Sequence, residues 1–223
     1  RAHTPIAVLG AMFRHLAESA EVPVVTHLDH GTSIAECRAA IEAGFSSVMF
    51  DGSAVPLEEN IRRTAEVAEM AREAGVGCEG EIGFVGYAEG AAGVGTDPEE
   101  AGRFAAETGV DAMAISVGNV HLQTSKAAVI DMERLAAIMR ATSVPLVIHG
   151  GSGLTVADRQ RLARETSVCK FNIGTELRQV FGASLRQSLS DQPHEFDRIK
   201  LLRRVEAPLT EAARRIIREI GPR

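Results

Sequence analysis

The stretch VPVVTHLDHGTS, residues 22–33, raises the question that decides the fold. Its β-branched run reads as a buried strand over 22–29, and the strand closes on His27, Leu28, Asp29 and His30. The same pattern of an apolar run ending in polar residues recurs along the chain. Strands are expected at 46–51 (SSVMFD), 76–82 (VGCEGEI), 111–117 (DAMAISV), 145–150 (PLVIHG) and 168–174 (VCKFNIG). Between them, helical periodicity predicts helices over 32–43, 57–74, 98–108, 131–141 and 155–165, with others before and after. In 57–74, Leu57, Ile61, Ala65 and Ala68 repeat at helical spacing, while Glu58, Glu59, Arg62, Arg63 and Glu66 fill the remaining surface. Asp97 followed by Pro98 marks a helix start, and Gly44, Gly75 and Gly109 mark helix ends. Alternating strands and helices imply an α/β fold with a parallel sheet.

Polar residues choose between an open sheet and a barrel. Asp29 with His30, Asp51, Glu81, His149 and Asn172 sit at or just after C-terminal strand ends, and His121 follows its strand by a few residues. A barrel gathers those ends at one mouth, where active sites of that fold lie, whereas an open sheet spreads them along an edge. The expected fold is a (β/α)8 TIM barrel. Six strands are visible where eight are needed, so the first two are expected to be missing from this sequence. With 223 residues, 45% hydrophobic and 24% charged, residues 1–223 are expected to form a single domain.

Composition also excludes several classes of function. A net charge of −6 without a basic block argues against nucleic-acid binding. Cys37, Cys78 and Cys169 are too few and too scattered for a disulfide framework or a thiolate zinc site. No apolar run reaches the roughly 18 residues that span a membrane, and no targeting signal is visible, so a cytoplasmic protein with small-molecule partners is expected.

His30, His121 and His149 each belong to a different strand end. A lone histidine in such a place is more often structural, but three in equivalent places describe a catalytic zinc site with one open position. His27 reads equally as a partner of that site or as a packed core histidine; His3, His15 and His194 are given no role. HGGSG (149–153) and NIGT (172–175) each close a strand and open a helix, so their backbone amides suit a phosphate. GEIGFVGYAEGAAGVGTD (80–97) reads as a mobile lid carrying Glu89.

The motifs THLDHG, SSVMFDGS, EGEIG, VGNVH, LVIHGGSG and KFNIGTE, in this order over essentially the whole chain, resemble the class II, zinc-dependent ketose-bisphosphate aldolases of fructose- and tagatose-bisphosphate type. The resemblance implies the TIM barrel, entered here near the helix before the third strand. It implies that Asp29 is the acid/base at the hydroxyl beside the breaking bond, and that Glu89 exchanges the proton with the enediolate. His30, His121 and His149 match the zinc ligands, and Glu81 a carboxylate that joins the metal when the site rearranges. Gly150, Gly151 and Ser152, with Asn172, Ile173, Gly174 and Thr175, match the segments holding the dihydroxyacetone-phosphate portion. Gly174 stands where fructose-type members commonly carry Asp and tagatose-type members a small residue.

One departure concerns substrate. Leu122 follows His121 where the family has glycine, and the text HLQTSKAAVID lacks the family's downstream prolines and glycines. A leucine there narrows the approach of a phosphate or of a monovalent cation, which points away from the usual bisphosphate. The expected protein is a lyase of carbohydrate metabolism, a homodimer or homotetramer acting on phosphorylated ketose and triose substrates with one zinc ion. Two other readings are a metal-dependent sugar-phosphate isomerase or epimerase, and a catalytically silent sugar-phosphate-binding protein.

Overall fold

Pro23 lacks the N–H that a sheet ladder needs, and the first strand starts only after it. In the computed structural model, which describes residues 3–221, β1 covers His27–Gly31 rather than 22–29. Val22, Val24 and Val25 stand outside the sheet and are largely exposed. The other strands fall inside the expected ranges: β2 Ser47–Phe50, β3 Gly77–Ile82, β4 Ala112–Ile115, β5 Leu146–Ile148 and β6 Val168–Phe171. They form one sheet in the order β1-β2-β3-β4-β5-β6, with β1/β2, β2/β3 and β3/β4 paired in parallel. The described residues thus form an α/β fold with the six strands expected of this sequence, consistent with part of a (β/α)8 barrel.

Among the described residues eight α-helices accompany the strands: α1 Ile6–Glu18, α2 Ile34–Glu42, α3 Leu57–Ala74, α4 Pro98–Thr108, α5 Met132–Ala141, α6 Val156–Glu165, α7 Thr175–Asp191 and α8 Arg198–Ile220. Their ends follow capping chemistry. The Asp97 carboxylate accepts the Glu99 and Glu100 amides at the start of α4, Ser33 accepts from Glu36 at the start of α2, and Thr155 accepts from Asp158 at the start of α6. Gly75 and Gly109 end α3 and α4 in the left-handed conformation.

The chain divides into two compact units. The first contains residues 1–84, 94–117 and 131–147, and at its centre Met49, Ala114 and Val147 are fully buried with Ala112 packed against them. On α3 the buried face is Asn60, Ile61, Thr64, Val67, Ala68 and Ala71, turned slightly from the expected stripe. Leu57 and Ala65 are only half-buried because Asn60 and Thr64 take places on the inner face. Their polar atoms are satisfied there: Asn60 Nδ2 donates to the Glu81 carbonyl at 2.8 Å, and Thr64 Oγ1 donates to Asn60 Oδ1 at 2.9 Å. Helix α3 thus grips the backbone of Glu81 directly.

The second unit contains residues 85–93, 118–130 and 148–223. Its helices α7 and α8 pack against each other, and α8 also meets α6. Gly150 turns the chain out of β5 with φ of 65°, where a side-chain carbon would lie 2.2 Å from the Val120 carbonyl oxygen, so glycine is required. No helix among the described residues is long and apolar enough to cross a membrane.

Candidate active site

In the first unit, β1 carries an irregularity between Leu28 and Gly31: Leu28 faces Val48 while Gly31 faces Phe50, so β1 holds one more residue than β2 over this span. Such a bulge re-aims side chains. Within this span lies His30, whose φ of 52° is unusual for any residue but glycine. His30 Nδ1 lies 2.7 Å from Asp51 Oδ2 and 3.6 Å from Glu81 Oε2, and His30 Nε2 lies 4.0 Å from Asp29 Oδ1. Asp51 is held in turn by the Ser53 amide at 3.1 Å and the Ser53 hydroxyl at 2.6 Å. His30, Asp51 and Glu81 lie close enough together to hold a metal ion.

The electrostatics follow from these contacts. Burial opposes charging of His30, but the Asp51 hydrogen bond and the charges of Asp29, Glu81 and Asp51 raise its pKa above the ordinary value. Burial likewise works against an ionised Asp51, yet the hydrogen bonds from His30 and Ser53 prevail and bring it to about 2. A carboxylate that takes one imidazole nitrogen fixes the direction of the other. Asp51 was not among the expected site residues, although its place at the end of β2 was the available signal. Glu81 is buried at 1% exposure, whereas the Asp29 side chain is half exposed.

His27 resolves as a packed histidine. Its Nδ1 is 2.9 Å from Ser47 Oγ and its Nε2 is 3.6 Å from the buried Glu79 carboxylate. The expected lid begins at Gly83, since residues 80–82 belong to β3. Phe84 and Val94 exchange backbone hydrogen bonds of 2.9 and 2.8 Å across its base. Buried Thr96 closes that base by donating to the Ile82 carbonyl and accepting the Ser116 amide.

In the second unit, the imidazoles of His121 and His149 meet edge to face with centroids 5.6 Å apart. Tyr87 stacks on His121 at 5.0 Å, and the backbone of His121 bonds to Gly86 and Ala88. His149 is fully buried: Asn119 Nδ2 donates to its carbonyl at 3.0 Å, and the Asn172 side-chain amide lies 3.1 Å from its Nε2. Tyr87 and Asn119 were not anticipated, since neither ends a strand. Glu89 is exposed in the turn beyond Tyr87 and joins no metal-suited group among the described residues.

The two glycine-rich turns are joined in this unit. The Gly151 amide donates to the Asn172 carbonyl at 3.0 Å, and Ser152 Oγ accepts the Glu176 amide at 3.1 Å, which docks residues 150–152 on the start of α7. Gly174 has an ordinary φ of −119° and meets only the flexible end of Arg178, so its backbone does not demand glycine. Leu122 has φ of 58° and is 54% exposed; a leucine therefore occupies the left-handed conformation in which a glycine would be unstrained.

Parallel βα units carrying carboxylates and histidines at strand ends define an α/β fold with side-chain groups that could hold a metal ion. The family model described as fructose-bisphosphate aldolase class-II matches residues 1–223, and the chain belongs to that family, whose members are metal-dependent lyases. The chain is 39% identical over 221 residues to the 6-phospho-5-dehydro-2-deoxy-D-gluconate aldolase of Shouchella clausii, covering 98% of this chain and 74% of the relative. It is 38% identical over 185 residues to the fructose-bisphosphate aldolase of Geobacillus stearothermophilus, covering 81% of this chain and 64% of the relative. The crystal structure of the YdjI aldolase from Escherichia coli K12 matches with a TM-score of 0.85 and 34% identity, over 99% of this chain and 77% of that one.

Glu176 offers a pH test of the docked turns. Burial would raise its pKa, but the hydrogen bonds from Arg159 and Lys126 outweigh it and lower it to about 2. A depressed folded value means that this contribution to stability is complete above about pH 4.5 and is lost as the pH falls toward 2. Urea unfolding of the native chain should lose stability over that window, and Glu176→Gln should show a shallower loss. Parallel pH profiles would show that the ion pairs do not form.

Proposed function

We propose that the chain is a zinc-dependent aldolase that cleaves or forms a ketose phosphate through a dihydroxyacetone-phosphate-like enediolate. The observation that carries this reading is the end of β1, where a bulge turns His30 onto Asp51 and leaves Asp29 beside it. That arrangement gives an imidazole aimed by one carboxylate next to a second, solvent-reaching carboxylate. His30, His121 and His149 would hold the zinc, with Glu81 as the further carboxylate that joins when the site rearranges. Neutral nitrogen donors with an outer carboxylate suit zinc. Zinc, when bound, supplies Lewis-acid polarisation of the substrate ketone.

The protein's own groups account for the protons. Asp29, half exposed, takes the proton from the hydroxyl on the carbon where the bond breaks. Glu89 returns a proton to the carbon of the three-carbon fragment from the turn that carries Tyr87. Gly150, Gly151 and Ser152, with Asn172, Ile173, Gly174 and Thr175, bind the phosphate-bearing end, because turns at strand ends that open helices present backbone donors to an anion. No lysine is needed to form a Schiff base: Lys126 is engaged with Ser152 and Glu176. The barrel class, together with a cytoplasmic location, is part of the same proposal.

Two roles follow for the carboxylates and are separable by experiment. Asp29→Ala should abolish cleavage while elemental analysis finds zinc retained; zinc loss would make Asp29 a ligand instead. Glu89→Ala should slow proton exchange at the donor ketone by roughly 10²- to 10⁴-fold. An unchanged exchange rate would leave Glu89 a surface residue.

Leu122 bears on which ketose is used. Its isobutyl group stands in the left-handed position next to His121, where it takes up space a glycine would leave for phosphate or its cation. Leu122→Gly should raise kcat/KM for fructose or tagatose bisphosphate by about 10- to 200-fold relative to other ketose phosphates. An equal change for every substrate would show that Leu122 does not select.

A further inference from the structure

Arg159 lies on α6 and is fully buried, with a side-chain exposure of 0%. A buried guanidinium is destabilising unless its donors are met, and an aliphatic residue would fill a helix face more simply. Here Nε and Nη2 both donate to the Gly151 carbonyl, at 3.1 and 3.0 Å. Nη2 also donates to Glu176 Oε2 at 2.5 Å, and Nη1 donates to Glu219 Oε2 on α8 at 3.1 Å. Glu176 receives two further cations, Lys126 at 2.7 Å and Arg215 at 3.2 Å. Lys126 Nζ in turn donates to the Ser152 carbonyl at 2.9 Å. Two consecutive carbonyls of the turn, 151 and 152, are therefore each drawn onto a cation, the first onto the buried Arg159 and the second onto the exposed Lys126.

Peptide geometry gives this a consequence. In a trans peptide the C=O and the following N–H point in opposite directions. Fixing the Gly151 carbonyl on Arg159 turns the Ser152 N–H to the far side of the same plane. The Ser152 hydroxyl accepts the Glu176 amide at 3.1 Å, so its own proton remains to be donated. The Gly153 amide is spent on the Gly150 carbonyl at 3.0 Å, which leaves the serine as the residue whose donors are aimed.

We infer that Arg159 is a positioning residue: acting through the Gly151 carbonyl, it sets the direction of the Ser152 donors and thereby the affinity of the turn for the phosphate group of the substrate. Glu219 holds the guanidinium from α8, so the C-terminal helix takes part in aiming the turn. The inference rests on the reading of residues 150–152 as a phosphate site. A merely structural Arg159, stapling α6 to α7 and α8, would lower stability without a selective effect on phosphate.

The test uses the full chain loaded with zinc and inorganic phosphate as the probe, titrated calorimetrically, with KM and kcat measured on a phosphorylated ketose and zinc content checked. Lysine keeps the charge of Arg159 but lacks the planar fork that reaches one carbonyl and two carboxylates together. Arg159→Lys is expected to weaken phosphate binding and raise KM by about 10- to 100-fold, with kcat and zinc content little changed. Should Arg159→Lys unfold, Glu219→Gln, which removes only the Nη1 partner's charge, is expected to move phosphate affinity and KM in the same direction. Native phosphate affinity in a folded variant would overturn the inference. Failure of the native protein itself to bind phosphate would overturn the phosphate reading, and the inference with it.

Discussion

Parallel pairing of β1, β2 and β3 brings Asp29 and His30, Asp51, and Glu81 to one level, and that registration is the constraint on which the site in the first unit depends. Side chains far apart in sequence meet because their strands start and stop together. The bulge in β1 then makes the fine adjustment. Without the extra residue, alternation would send His30 to the opposite face from its neighbours. With it, His30 lies against Asp51 at hydrogen-bonding distance and against Glu81 at 3.6 Å.

Strain is concentrated where chemistry is proposed. Among the described residues, His30 and Leu122 are the non-glycine residues with positive φ, and both belong to the candidate site or its border. Each such conformation costs on the order of 1–2 kcal/mol, which the surrounding hydrogen bonds and packing must offset. For His30 the offset is visible in the Asp51 contact. The buried guanidinium of Arg159 is the same kind of investment in the second unit: its desolvation is met by two carboxylates and a carbonyl, and the result is a turn with a fixed orientation.

Much of this was legible in the sequence, because strand ends that finish in Asp, Glu, His or Asn are hard to explain by packing alone. Helix limits were readable for the same local reason, as Asp97–Pro98, Gly75 and Gly109 carry their own conformational preferences. The start of β1 was not, because Val22, Val24 and Val25 have strand-like side chains and only Pro23 records that the ladder cannot extend there. Nor was the bulge, since alternation gives no warning of an inserted residue. Arg159 left a faint trace: it is three residues before Leu162, on the same buried face of α6, and a charge in such a place asks for partners that only the fold supplies.

The central claim is that three histidines from separate strand ends hold one zinc ion. X-ray absorption of the zinc-loaded chain tests it most directly, read alongside zinc content in His30→Ala, His121→Ala and His149→Ala. The account predicts one zinc per chain with imidazole nitrogens at about 2.0–2.1 Å, and a loss of that signature in each variant. A spectrum showing sulfur at about 2.3 Å, or full zinc occupancy in all three variants, would contradict it.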